Sequence, residues 1–223
     1  MSSYEEFPIF ITKRTGTVKE YIFFTIPIFK GEIMNVYDFD NTIYRGDSTR
    51  DFYFYTLKNY PSILKYLPYQ AYHFIKFALG IIDKTEFKEN FYIFFKSIKD
   101  IDLFLDKFWK IHIKNIKKWY FDIKKDDDII ISASPYFLLK PAIDKLEIKY
   151  LSASNVDKLT GKYDGVNCHG KEKVKRFYKM SDEKIDNFYS DSYSDTPLAE
   201  ISENAFMVKG DRIYNWEFKL KTK

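Results

Sequence analysis

Three consecutive isoleucines, Ile129-Ile130-Ile131, make an apolar run that is neither alternating nor spaced for one helix face. A strand buried on both faces accommodates such a run, and such strands belong to parallel sheets covered by helices on each side. Residues 33–37 (IMNVY) and 185–190 (IDNFYS) read as two more core strands, and 149–153 and 206–208 as shorter β-prone stretches. Helices are expected at 135–146, with Ser134 as cap, and at 170–180 and 197–202, with a hairpin at 156–167 turning on Thr160-Gly161. Strands alternating with helices predict an α/β fold.

Residues 47–127 interrupt that alternation. Asp47 or Ser48 can cap a helix carrying Phe52 and Tyr55, and Asp83 opens another with Phe87, Phe91, Phe94 and Phe95 at helical spacing. Residues 100–120 supply a longer one. The segment is an all-helical insertion, whose aromatic stripes suit a core. It holds 15 Lys or Arg against 11 Asp or Glu, which accounts for the whole net charge of +4. That balance gives no argument for nucleic acid and suits the solvated faces of helices; an anionic substrate or an acidic membrane surface is the sharper reading. Residues 64–82 are the most apolar window, but Lys65, Pro68, His73 and Lys76 argue against a spanning helix and leave only an interfacial one.

Residues 1–33 read unlike the rest. The stretch 21–29 (YIFFTIPIF) is too short to cross a bilayer, and no signal-peptide pattern precedes it. One reading makes Met34 the native start, because Lys30-Gly31-Glu32 can be encoded by a purine-rich, ribosome-binding-like stretch. The other is a small strand or hairpin. The single cysteine, Cys168, fits a reducing cytoplasm, and the three histidines are too scattered for a zinc site.

Chemistry concentrates at the strand ends. Asp38 and Asp40 follow the first strand one residue apart, so both converge on one spot if the chain stays extended. Two carboxylates that close call for a cation or a shared proton. Ser132 ends the triple-isoleucine strand, where its hydroxyl can donate to a phosphate oxygen. Lys171 sits in the first turn of a helix, against the positive end of the dipole, which a bound anion would excuse. Lys173, Lys175 and Arg176 read as a solvated face. Asp191 and Asp195 follow the third core strand and offer the hard oxygens that magnesium prefers. Asp195, just before Thr196-Pro197, is also a good helix cap.

The order DFDNT, IIISAS, HGKEK, YSDSYSD resembles the four motifs of the haloacid dehalogenase superfamily of phosphohydrolases, over residues 34–210. The long insertion after the first motif, Ser-Ala-Ser-Pro after the second strand and the hairpin before Gly170 are similar to its phosphoserine phosphatase-like branch. The resemblance implies a Rossmann-like core (34–46 and 128–223) and a helical cap (47–127). Asp38 would be the nucleophile, Asp40 the general acid–base, and Ser132 and Lys171 the phosphate ligands. Magnesium would be held by Asp38, the Asp40 main chain and Asp191, with Asp195 and Thr42 in support.

Departures from that pattern bear on the substrate. Asp47 stands where those phosphatases carry a glutamate, Ala133-Ser134 replaces paired glycines, and Arg50 is the only arginine in the insertion. Asp47 and Arg50 are therefore the candidates for substrate recognition. The expected activity is a magnesium-dependent phosphomonoesterase acting on a small phosphorylated metabolite. Phosphoserine hydrolysis proper, transfer to an acceptor alcohol, a non-catalytic phosphate-binding module and a membrane-surface lipid phosphatase are the alternatives. Nothing in the sequence sets the oligomeric state.

Overall fold

The computed structural model describes residues 5–15, 18–28 and 34–218. Two compact units emerge, Met1–Ile33 and Met34–Lys223. In the first, β1 (Glu5–Thr15) and β2 (Val18–Ile28) pair antiparallel with Thr15 opposite Val18, so the hairpin alternative describes these strands. The Lys30-Gly31-Glu32 stretch invoked for an alternative start lies outside the described residues.

The second unit is mixed α/β. It begins with β3 (Asn35–Tyr37), then a helical block of α1 (Ser48–Asn59), α2 (Leu67–Ala78), α3 (Lys84–Phe91), α4 (Ile101–His112) and α5 (Lys118–Ile123), with 3-10 turns at every junction but that of α2 and α3. Next come β4 (Ile129–Pro135), α6 (Tyr136–Lys145), β5 (Tyr150–Ser154), α7 (Lys171–Tyr178), β6 (Ile185–Ser190), α8 (Thr196–Ala199), β7 (Ser202–Lys209) and β8 (Arg212–Asn215). Strand order is β5-β4-β3-β6-β7-β8, parallel except for the antiparallel edge strand β8. The sequence reading missed β8, whose four residues are all exposed and carry no burial pattern.

Alternation within the strands divides the core into two layers. Val36, Ile129 and Ile131 pack with Phe188, Leu198 and Met207 on one face. Tyr37 and Ile130 point the other way, into a cluster shared with Phe52, Phe94, Phe108 and Trp109 of the helical block. Each such side chain, fully buried, contributes on the order of 1.5–3 kcal/mol. Phe52, Phe94 and Phe95 are thus core, as their spacing indicated, with Tyr55 and Phe91 packed against it, whereas Phe87 is only half-buried. Aspartates start the helices: Asp47, Asp83 and Asp100 accept from Arg50 N, Glu86 N and Leu103 N at 2.8, 2.8 and 3.1 Å.

Ser134 does not cap α6. It is the sixth residue of β4, and Pro135 takes the cap position without a side-chain hydrogen bond. The 156–167 segment closes through a single Val156–Tyr163 bridge. Gly161 in that turn has φ +76°, and a Cβ there would lie 2.6 Å from Tyr92 Cβ, so the loop presses directly on the helical block.

Candidate active site

The parallel strands present their carboxyl ends at one edge, where β3 lies between β4 and β6. A cavity of about 290 Å³ opens there, lined among others by Asp38, Asp40, Asp47, Arg50, Ser132 and Asp191. Asp38 and Asp40 both reach it, although the backbone turns at Phe39 rather than staying extended. Phe39 is buried between Tyr44 and Trp109, which anchors that turn. Beyond it the chain folds back tightly. Asn41 adopts φ +56°, its amide donates to Gly46 O at 2.8 Å, and its carbonyl accepts from the buried Lys117 ammonium.

Lys173, not Lys171, supplies the cation. Its Nζ lies 2.7 Å from both Asp38 Oδ1 and Asp195 Oδ2, with the lysine side chain 2% exposed. Lys171 is exposed and does not line the cavity. The physical reason is helix phase. Lys173 and Phe177 share a face of α7 and both are buried, whereas Lys171 lies about 200° around the axis from Lys173. Lys173 was legible in principle as the position four before a core phenylalanine. Burial opposes its charge, but Asp38 and Asp195 outweigh burial and raise its pKa.

Thr42 joins two motifs. Its Oγ1 lies 3.5 Å from Asp38 Oδ2 and accepts the Asp191 amide at 3.0 Å. Asp195 is not a side-chain cap for α8; its Oδ2 takes hydrogen bonds from Lys173 and from Ser190 Oγ at 2.8 Å. Ser132 is buried and accepts from Ser134 N at 3.1 Å, keeping its hydroxyl at the cavity wall. Asp47 caps α1 and Arg50 is largely exposed at the rim.

Two residues join this set that the sequence reading did not assign to it. Ser134 donates to Asp40 Oδ2 at 2.5 Å, while Ser48 N donates to Asp40 Oδ1 at 2.6 Å, so Asp40 is clamped between β4 and the start of α1. Lys88 of α3 enters from the helical block and donates to Ala133 O at 2.9 Å. Burial, with Lys84 adding, pushes its pKa down to about 8. Neither carried a signal in the sequence, since a serine at a strand end and a lysine on a helix are ordinary.

Burial also dominates the acids. It pushes the Asp38 carboxyl up to about 7; Lys173 pulls the other way, and Asp195 and Asp40 push further up. Burial and then the charge of Asp47 push Asp40 up to about 6. Asp191 is raised by burial and by Asp195.

The family model for haloacid dehalogenase-like hydrolases matches residues 36–200, which holds every residue above. The chain belongs to this family. No match is found among curated proteins. Solved structures share the fold at low identity. A protein of unknown function from Bordetella pertussis Tohama I is 16% identical with a TM-score of 0.62, covering 77% of this chain and 87% of that one. A phosphoserine phosphohydrolase-like protein from Francisella tularensis is 17% identical with a TM-score of 0.50, covering 78% and 86%. A substrate-bound phosphoserine phosphatase is 13% identical, also at 0.50, covering 79% and 85%.

Haloacid dehalogenase-like hydrolases that cleave phosphate esters typically use magnesium, and the donor chemistry here fits that ion. Asp38, Asp191 and Asp195 put carboxylate oxygens at one end of the cavity, the hard donors that magnesium prefers. Asp195 Oδ1 is buried without a hydrogen-bond partner. Among the described residues no three His, Cys, Asp or Glu side chains make a cage by themselves. Magnesium keeps several of its own waters and needs no such cage.

Proposed function

We propose that this haloacid dehalogenase-like hydrolase is a magnesium-dependent phosphomonoesterase working through an aspartyl-phosphate on Asp38. The observation that carries the reading is the Asp38–Lys173–Asp195 contact at the edge of a cavity that Asp40 and Ser132 also line. Asp38 attacks phosphorus; the new O–P bond forms as the ester O–P bond breaks, and Asp40 delivers a proton to the departing alkoxide. Water then attacks the phosphorus and gives its proton to Asp40, which regenerates Asp38 and releases phosphate. Burial and Asp47 lift Asp40 to about 6, so a minor fraction still carries the proton near neutral pH. Ser132 Oγ and Lys173 Nζ donate to the non-bridging oxygens, with Lys173 offsetting the charge that builds on them. Thr42 holds Asp38 and the Asp191 loop in register. Asp38, Asp191 and the Asp40 carbonyl would hold the magnesium ion, whose contribution is to neutralise phosphoryl charge.

Residues 47–127 act as the cap, closing over the cavity and bringing Asp47, Arg50 and Lys88 to the substrate's leaving group. The substrates are small phosphorylated compounds, and the unpaired, buried Cys168 suits a cytoplasmic protein. Phosphate release over a broad panel of phosphorylated compounds tests the reading, with Asp38→Asn run in parallel. Magnesium-dependent turnover by the wild type and none by the variant is expected. Equal turnover by both sinks the nucleophile assignment.

A further inference from the structure

Helix α2 is built inside out. A helix on a globular surface normally buries its apolar stripe and exposes its polar one. Here the buried residues are Gln70 and His73, while Leu67, Tyr72, Phe74 and Ile75 are exposed. Flanking Leu64, Leu79 and Ile81 extend the surface, the last two 70% and 62% exposed. The polar face is fixed inward by hydrogen bonds: Tyr53 OH donates to Gln70 Oε1 at 3.3 Å, and Gln70 Nε2 donates to Phe91 O at 2.8 Å. The apolar face therefore cannot turn in without leaving those groups unpaired. A continuous exposed apolar patch of this kind marks an interaction surface.

Charge selects the occupant. Residues 61–82 contain no Asp or Glu, and their lysines, Lys65 and Lys76, lie 4.9 and 5.6 Å from the ring centres of Tyr66 and Tyr72. A second copy docked by two-fold symmetry would set this basic patch against itself. An anionic bilayer instead offers hydrocarbon to the apolar side chains and negative headgroups to the lysines. No helix among the described residues is long and apolar enough to cross a membrane, so contact would be interfacial.

The patch also leads to the cavity. Phe74 meets Phe87 edge-on and Phe77 stacks on it, ring centres 6.0 and 5.0 Å away, and Phe87 lines the cavity beside Lys84 and Lys88. A cavity of about 290 Å³ holds a phosphorylated head but not an alkyl chain of membrane length. We infer that α2 and its flanks dock this enzyme on anionic membrane surfaces and that its substrates include phosphate monoesters carried on an amphiphile. The second half of this inference rests on the phosphomonoesterase reading; the first does not.

Co-sedimentation of the full chain with vesicles tests the docking half. Vesicles with a third phosphatidylserine should pellet the protein at low salt, and pure phosphatidylcholine vesicles much less. Each of Lys65→Gln and Lys76→Gln should weaken binding about five-fold, and Ile75→Ser/Leu79→Ser should abolish it, with hydrolysis of a soluble monoester unchanged. Absence of binding to anionic vesicles at low salt overturns the inference. So does a dimer in solution that Ile75→Ser/Leu79→Ser converts to monomer. For the substrate half, hexadecyl phosphate in those vesicles is compared with ethyl phosphate in solution. Faster turnover of the vesicle-borne ester, lost in Ile75→Ser/Leu79→Ser, supports the substrate class. Turnover of ethyl phosphate alone refutes that class and leaves the phosphomonoesterase reading intact. Turnover of neither refutes both, and sedimentation still decides docking.

Discussion

Replacing Lys173 by methionine keeps most of the side-chain volume and deletes one charge from the most enclosed part of the cavity wall. The ammonium serves two carboxylates at 2.7 Å each, and its removal leaves Asp38 and Asp195 facing one another with no cation between them. Breaking a buried ion pair from one side costs about 3–5 kcal/mol, and sharing between two acids places this case toward the upper end. For a unit of this size each kcal/mol lowers Tm by roughly 2–4 °C, so a fall of about 8–20 °C is expected in metal-free buffer. Magnesium should restore more of that loss in the variant than it adds to the wild type, because the uncompensated charge attracts it. Turnover should fall by about 10²–10³, the loss typical of one missing transition-state donor. Differential scanning fluorimetry with and without magnesium, beside phosphate release, reads both effects. Lys171→Ala is the control: an exposed residue at the start of the same helix should change stability by no more than about 0.5 kcal/mol and leave turnover unchanged. A Lys173→Met protein with wild-type Tm and turnover, or a Lys171→Ala protein that loses activity, would refute the reasoning.

Asp191→Asn should raise the magnesium concentration for half-maximal activity at least ten-fold, and an unchanged metal titration removes Asp191 from the ligand set. Asp47→Asn keeps a competent helix cap but deletes a charge that raises the Asp40 pKa. The alkaline fall in turnover, which follows loss of the Asp40 proton, should therefore move to lower pH; a shift upward contradicts the general-acid role. Asp38 has its folded pKa raised from 3.8 to about 7. Its proton thus favours the folded state, and that stability is lost as pH rises from about 4 to about 7. Asp38→Asn lacks this loss, so in metal-free buffer its Tm relative to wild type should climb across that window. A flat difference would show that burial does not set the Asp38 pKa.

How much was legible in the chain depended on whether the signal was local. Core strands were legible because Ile129-Ile130-Ile131 and its counterparts admit one environment, and strand ends placed Asp38, Ser132 and Asp191 at the same edge. The helical block followed from aromatic spacing and aspartate caps, which are determined within a turn or two. Spacing also sets helix phase in principle, yet Lys171 and Lys173 are separated only by which side of α7 meets the sheet. That choice is made by Phe177 burying against strands distant in sequence, and the cation at Asp38 follows from it. Ser134 is a similar case, because its role depends on Asp40, 94 residues away. The inverted face of α2 is the clearest limit: Gln70 turns inward because Tyr53 and Phe91 offer it partners, and only the packed fold brings those partners together.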